Sequence, residues 1–157
     1  MQLEDTECES DMIKRAAMFA AYTGLRISDI EKVTKGAIKD GTLEHKQTKT
    51  GRHEHLPISK KAMTYLDDKK KPGELQFPSL INKVYQSGCI FQRWIQASGI
   101  QKKISFHVFR HTYATLLLTN GVDLYTVSKL LGHTDVKVTQ AYGKIVSQVK
   151  REAVELL

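Results

Sequence analysis

The sequence predicts an α+β fold that is mainly α: a compact helical domain carrying a small three-stranded antiparallel sheet. Three observations lead there. Apolar residues recur at the helical period up to Tyr22 and again from Ser79 to Tyr142. From Lys35 to Ile58 the period changes, and the turn dipeptides Asp40-Gly41 and Thr50-Gly51 separate three short stretches. The 157 residues suffice for one domain, or slightly more, with a real core.

Each element has its own signal. Residues 9–11 cap a first helix from Met12 to about Tyr22, with Ile13, Ala17 and Ala20 on one face and Thr23-Gly24 as its stop. Leu25-Arg26-Ile27 leads into a short helix from Ser28 to Val33, so Arg26 sits at a junction beside a glycine. The stretches GAIK, TLEHKQT and RHEHLPI read as three strands joined by tight hairpins, with Lys49 at the tip of the second. Ser59 caps a helix through about Asp68, and Lys69-Lys70-Lys71-Pro72-Gly73 is a basic loop. One longer helix from Ser79 carries Leu80, Val84, Phe91, Trp94 and Ile95 in register as a core stripe, and Ser98-Gly99 ends it.

The most informative stretch runs from Ser105 to Tyr142. Ser105 is an N-cap for a helix bearing Phe106, Phe109, Tyr113 and Leu116 or Leu117. His107 and Arg110, three apart, share a neighbouring face of it. Asn120-Gly121 stops that helix; Asp123 caps the next, whose stripe is Leu124, Val127, Leu130 and Leu131 and whose end is Gly132. His133 therefore stands at a helix end, and a third helix from about Asp135 carries Tyr142 just before Gly143. Val146, Val149, Ala153 and Leu156 form an amphipathic C-terminal helix.

Composition narrows the function classes. The 41% hydrophobic content suits a soluble globular protein, and no apolar run approaches the roughly 18 residues of a membrane helix. The acidic start MQLEDTECES is no signal peptide, and Cys8 and Cys89 read as free thiols, so the expected location is the cytoplasm. A net charge of +7 suits a polyanionic partner, although charge alone also fits a merely soluble basic surface. A cluster of basic side chains with one placed phenol suits attack on a phosphodiester, whose negative oxygens repel nucleophiles until their charge is held.

Three segments, AYTGLRISDI, FHVFRHTYAT and LLGHTDVKVTQAY, resemble the signature boxes of the tyrosine recombinase (phage integrase) family, in family order. The resemblance implies the fold of the DNA breaking-rejoining enzymes and assigns roles. Arg26 and Arg110 clamp the scissile phosphate, with Asp29 supporting Arg26. Tyr142 attacks phosphorus to give a covalent 3′-phosphotyrosyl link, which a 5′-hydroxyl of another strand reverses without ATP, metal or cofactor. His107 serves as general acid/base, His133 donates to the phosphate, and Lys49 protonates the leaving 5′ oxygen. Lys46 competes with Lys49 for that role and Arg52 does so more weakly. His111, four residues after His107, is read as structural. His53 and His55 share a strand face but lack a third ligand, so no metal is expected.

The partners implied are double-stranded DNA and further copies of the chain, as a tetramer on two duplexes; no membrane is involved. Lys69, Lys70 and Lys71 either touch the DNA backbone or form a solvated connector. The C-terminal helix packs at home or on a neighbouring protomer. Residues 1–157 are read as a catalytic domain without the family's N-terminal core-binding domain, most readily from the integrase of a mobile element. Two alternatives stand beside site-specific recombination: relaxation of the type IB topoisomerase kind, and a non-catalytic DNA-binding module.

Overall fold

Residues 2–86, 90–133, 135–143 and 154–155 are described by the structure, a computed structural model. Chain order is α1 (Gln2–Asp5), α2 (Asp11–Thr23), α3 (Ile27–Ile30), a 3₁₀ turn (Lys35–Ala37), β1 (Ile38–Lys39), β2 (Thr42–Lys46), β3 (His53–Pro57), α4 (Lys60–Met63), α5 (Leu80–Tyr85), α6 (Ile90–Ala97), α7 (His107–Thr119) and α8 (Leu124–Leu130). Residues 137–143 are again helical. This is the mainly helical α+β arrangement that the sequence predicts.

The central element is α2. Ser10 caps it, its hydroxyl accepting from Ile13 N at 3.4 Å, and Ile13 together with Ala16 through Ala21 is buried. Four of those buried residues are alanines, which let α7, α4 and α5 approach closely around the helix. An aromatic cluster of Phe91, Trp94, Phe106 and Phe109, with ring centroids 5.6–6.3 Å apart, closes the core between α6 and α7. A second, smaller core of Ala114, Val127, Leu131 and Tyr142 lies under α8.

The sheet has the order β1-β2-β3, antiparallel throughout. Lys39 pairs with Thr42 across Asp40 and Gly41, whose φ values of 48° and 73° make the two-residue turn that Asp-Gly favours. The second connection is wider than the tight hairpin expected. Lys46 pairs with His53, so residues 47–52 form the loop; Gln47 N donates to Arg52 O and Gly51 N to Gln47 O. Thr50-Gly51 is thus the second half of a longer loop that Lys49 crowns.

Several helices differ from their sequence-based bounds; α3 ends at Ile30, not Val33. The helix expected through Asp68 stops at Met63, because Thr64, Tyr65 and Leu66 bond three residues back instead of four. Buried Gln76 then captures the backbone of Asp67, accepting from its N–H at 2.8 Å. The longer helix from Ser79 is two helices, α5 and α6, although Leu80, Val84, Phe91, Trp94 and Ile95 are all buried as expected. The sequence there reads Ser87-Gly88, poor helix formers. Finally, the cap of α7 is Phe106, not Ser105, and Leu116 is exposed while Leu117 packs on the smaller core. Cys89 and the stripe Val146, Val149, Ala153 and Leu156 lie outside the described residues. Among those described, no helix is long and apolar enough to cross a membrane.

Phe91 touches the three other rings of its cluster, so Phe91→Ala should cost about 3–5 kcal/mol of stability. Urea unfolding followed by circular dichroism reads this directly. A loss under about 1 kcal/mol would mean that the aromatic cluster is not the centre of the core.

Candidate active site

A cleft of about 580 Å³ opens between the sheet's long loop, the start of α7 and residues 132–142. Arg26, Lys49, His107, Arg110, His133 and Tyr142 all line it, together with His111. Each arrives by a local rule. Gly24 ends α2 at φ 68°, and a Cβ there would lie 2.4 Å from Tyr113 Cδ1, so the turn that delivers Arg26 to the start of α3 requires glycine. Leu130-Leu131-Gly132-His133 is a Schellman motif. Gly132, at φ 62°, donates to Lys129 O, and His133 N donates to Ser128 O, which fixes His133 at the end of α8.

Arg110 is only 3% exposed. Its Nη1 donates to Gly24 O at 2.6 Å and its Nη2 to Leu131 O at 2.5 Å, tying the end of α2 to the end of α8. Burial and the nearby Arg26 charge lower its pKa to about 10, which leaves it a cation at neutral pH. Nη1 of Arg26 is buried without a hydrogen-bond partner among the described residues; its nearest carboxylate oxygen, Asp29 Oδ2, is 4.0 Å away. Buried Asp29 gives its other oxygen to Thr48 N at 2.7 Å, one residue before Lys49. One carboxylate thus holds both the first arginine and the lysine loop.

Tyr142 is buried in the smaller core, and its hydroxyl lies 2.7 Å from His111 Nδ1. His133 Nδ1 lies 2.8 Å from the hydroxyl of fully buried Thr139. His107 stacks edge-on against His111, with centroids 4.7 Å apart. Cations held around a phenol can bind an anionic oxyacid ester and stabilise attack upon it.

Comparison with known proteins gives the family. Residues 1–148 match the Phage integrase family. The chain belongs to that family. It is similar to the integrase of Escherichia phage 186, 29% identical over 136 residues that cover 85% of this chain and 38% of that protein. It is also similar to tyrosine recombinase XerD of Chlamydia trachomatis, 32% identical over 148 residues, with 85% and 49% covered. Among solved structures it resembles lambda integrase. As a dimer bound to a COC′ core site the match has TM-score 0.69 and 26% identity, over 90% of this chain and 55% of that one. As a tetramer bound to a Holliday junction the TM-score is 0.63 at 26% identity, over 83% and 42%. The chain spans less than half the length of the two curated relatives.

Within this phage integrase domain, the remaining basic residues sit elsewhere. Lys46, Arg52, Lys69 and Lys71 are exposed and Lys70 is half-buried, and none of them lines the cleft. His53 and His55 are exposed on β3, His55 lying 3.9 Å from Glu44; among the described residues no group of three could hold a metal. One cleft residue, His111, is read from the sequence as structural, and two supporting residues, Thr139 and Gln47, went unread. His111 had a signal, its i+4 spacing from His107 on a shared face. Thr139 had one as well, three residues before Tyr142 on the same helix. Gln47 had none: its amide fills the space over Gly132, where a Cβ would come within 1.9 Å of Nε2.

Desolvation dominates the electrostatics. It pushes the His133 pKa down to about 4, with help from Arg110, Arg26, His107 and Lys49, and it lowers His107 and His111 as well. Burial raises Tyr142, against the opposing pull of Arg110 and Arg26. An unfolded histidine titrates near 6.5. Between that pH and about 4 the unfolded chain therefore binds a proton that folded His133 refuses, so stability is lost as pH falls through this window. The melting temperature should drop between pH 7 and 4, and less steeply in His133→Asn. Equal slopes would show that His133 titrates normally.

Gly132→Ala should destabilise by about 1–3 kcal/mol through backbone strain, and should displace Gln47 and with it the lysine loop. Thermal melting and amide exchange at residues 47–52 check both effects. Wild-type exchange in that loop would separate Gly132 from the placement of Lys49.

Proposed function

We propose that this chain is the catalytic domain of a site-specific DNA recombinase, of the kind that integrates a mobile element, acting by tyrosine attack on a phosphodiester of duplex DNA. One observation carries the reading: Arg26, Arg110 and Lys49 line one cleft together with neutral His133 and the Tyr142 phenol, and among the described residues no carboxylate lines that cleft, Asp29 standing behind it. Like charges so gathered cost stability unless an anion fills the space between them.

In the mechanism, a scissile phosphate enters between the two arginines. The free Nη1 of Arg26 and the N–H groups of Arg110 not engaged by carbonyls hold its non-bridging oxygens, most strongly as charge builds in the pentavalent transition state. His133 Nδ1 lies 2.8 Å from the Thr139 hydroxyl; when that hydroxyl donates to Nδ1, the ring proton sits on Nε2, free for a further hydrogen bond to the phosphate. Tyr142 Oη attacks phosphorus and loses its proton; the P–O5′ bond breaks, and Lys49 delivers a proton to the departing oxygen. The 3′-phosphotyrosyl bond keeps the ester's energy, so a 5′-hydroxyl from a second duplex can attack it and regenerate the phenol. Assembly of four copies on two duplexes would bring those strands together, and the lambda integrase tetramer on a Holliday junction supports that stoichiometry. His107 lines the same cleft.

A nicked suicide duplex, which loses its 5′-hydroxyl fragment after cleavage, should give a denaturation-resistant adduct with the parent chain and none with Tyr142→Phe. Arg110→Lys, compared at equal folded fraction because it also frees two buried carbonyls, should slow adduct formation about 10²–10³-fold. An adduct that persists in Tyr142→Phe would assign the nucleophile elsewhere. Cleavage by Arg110→Lys at the parent rate would remove Arg110 from the phosphate clamp.

A further inference from the structure

The phenol needs a base, and the geometry points to His111 rather than to a histidine of the recombinase reading. We propose that His111 Nδ1 accepts the Tyr142 proton as the phenol attacks, and returns it on rejoining; this deepens, and rests on, the recombination chemistry proposed above. The contact is direct, Nδ1 to Oη at 2.7 Å, with the ring centroids 5.2 Å apart. That is within the distance over which a proton passes in one step. His107, by contrast, makes no side-chain hydrogen bond among the described residues and meets His111 edge-on.

The surroundings keep His111 in the form a base needs. On its own helix it faces His107 and Arg110; across the cleft stand Arg26, Lys49 and His133; and from residues 137–143 comes Tyr142 itself. Desolvation first and the Arg110 charge second lower its pKa, so the ring is neutral near pH 7. With its proton on Nε2, Nδ1 presents a lone pair to the phenol. Burial has meanwhile raised Tyr142, so the phenol does not ionise unaided near neutrality.

The step balances. The Oη–H bond breaks and an Nδ1–H bond forms, giving an imidazolium; the Oη–P bond forms while P–O5′ breaks; and the proton on Lys49 goes to O5′. In the reverse direction the 5′-hydroxyl gives its proton to the Lys49 amine, and the imidazolium protonates the departing phenolate. His107 then has a different task, supporting His111 through the edge-on contact and lining the phosphate side of the cleft.

His111→Asn separates holding from proton transfer, because the amide can accept the phenol's hydrogen bond but cannot take its proton. Single-turnover cleavage of the suicide duplex at subsaturating DNA is expected to fall about 10²–10⁴-fold in this variant. The parent's rate should rise with pH along an acidic limb centred below the ordinary histidine value; that limb should persist in His107→Gln and vanish in His111→Asn. Added imidazole should restore His111→Ala in part. A 5′-bridging phosphorothiolate, whose sulfur leaves without a proton, should rescue Lys49→Ala but not His111→Asn. His111 variants that cleave as fast as the parent or faster, with the acidic limb intact, would overturn the proposal while leaving the Tyr142 adduct and the recombinase reading standing. The ring ¹⁵N spectrum of the chain without DNA gives an answer that needs no cleavage. An unprotonated Nδ1 on His111 at pH 7 that shifts in Tyr142→Phe is expected, and a protonated Nδ1 would sink the assignment.

Discussion

The buried guanidinium of Arg110 is the constraint on which the rest of this structure depends. It bonds the carbonyl that ends α2 and the carbonyl that ends α8, so three segments far apart in sequence meet at one side chain. Those carbonyls are available because Gly24 and Gly132 turn the chain in the left-handed region just where the helices end. Burying a cation beside dipoles alone is costly, and the lowered pKa of Arg110 is the sign of that cost. The fold accepts it because the same guanidinium retains N–H groups for a ligand.

Asp29 performs the complementary task for the other half of the site. It is buried, close enough to Arg26 to orient it, and bonded to the backbone that precedes Lys49. The lysine loop is wider than a tight hairpin, which gives Lys49 reach, and Asp29, Gln47 and Gly132 give it a fixed base. Rigid attachment on one side and exposure on the other suit the proposed role of Lys49 as general acid. Tyr142 and His133 depend instead on the smaller core, so the cleft is the seam between the two hydrophobic clusters.

Much of this was legible in the sequence. The helical stripes within the described residues, the Asp40-Gly41 turn, the Asp123 cap and the glycine stop at Gly132 follow from local chemistry, and the structure has each of them. Helix lengths were less legible, because tertiary partners set them: Gln76 seizes the backbone after α4 from nine residues away. At the site, the boxes named residues that the fold brings to one cleft. The partners of those residues stayed hidden wherever they come from distant sequence. Gln47 over Gly132 and the carbonyl partners of Arg110 are contacts across the fold, for which neither spacing nor composition carries a signal. His111 was visible but read as structural, and only its distance to Tyr142 separates it from its neighbour His107.

The central claim is that the phenol inside the basic cleft is the group that bonds to phosphorus. Mapping the covalent adduct tests it most directly: trap the chain on a suicide duplex, digest with trypsin and nuclease, and sequence the nucleotide-bearing peptide by mass spectrometry. The account predicts a residual 3′-linked nucleotide on Tyr142, in the peptide Val138-Thr139-Gln140-Ala141-Tyr142-Gly143-Lys144. A nucleotide on any other side chain, or a 5′-phosphate linkage, would contradict it.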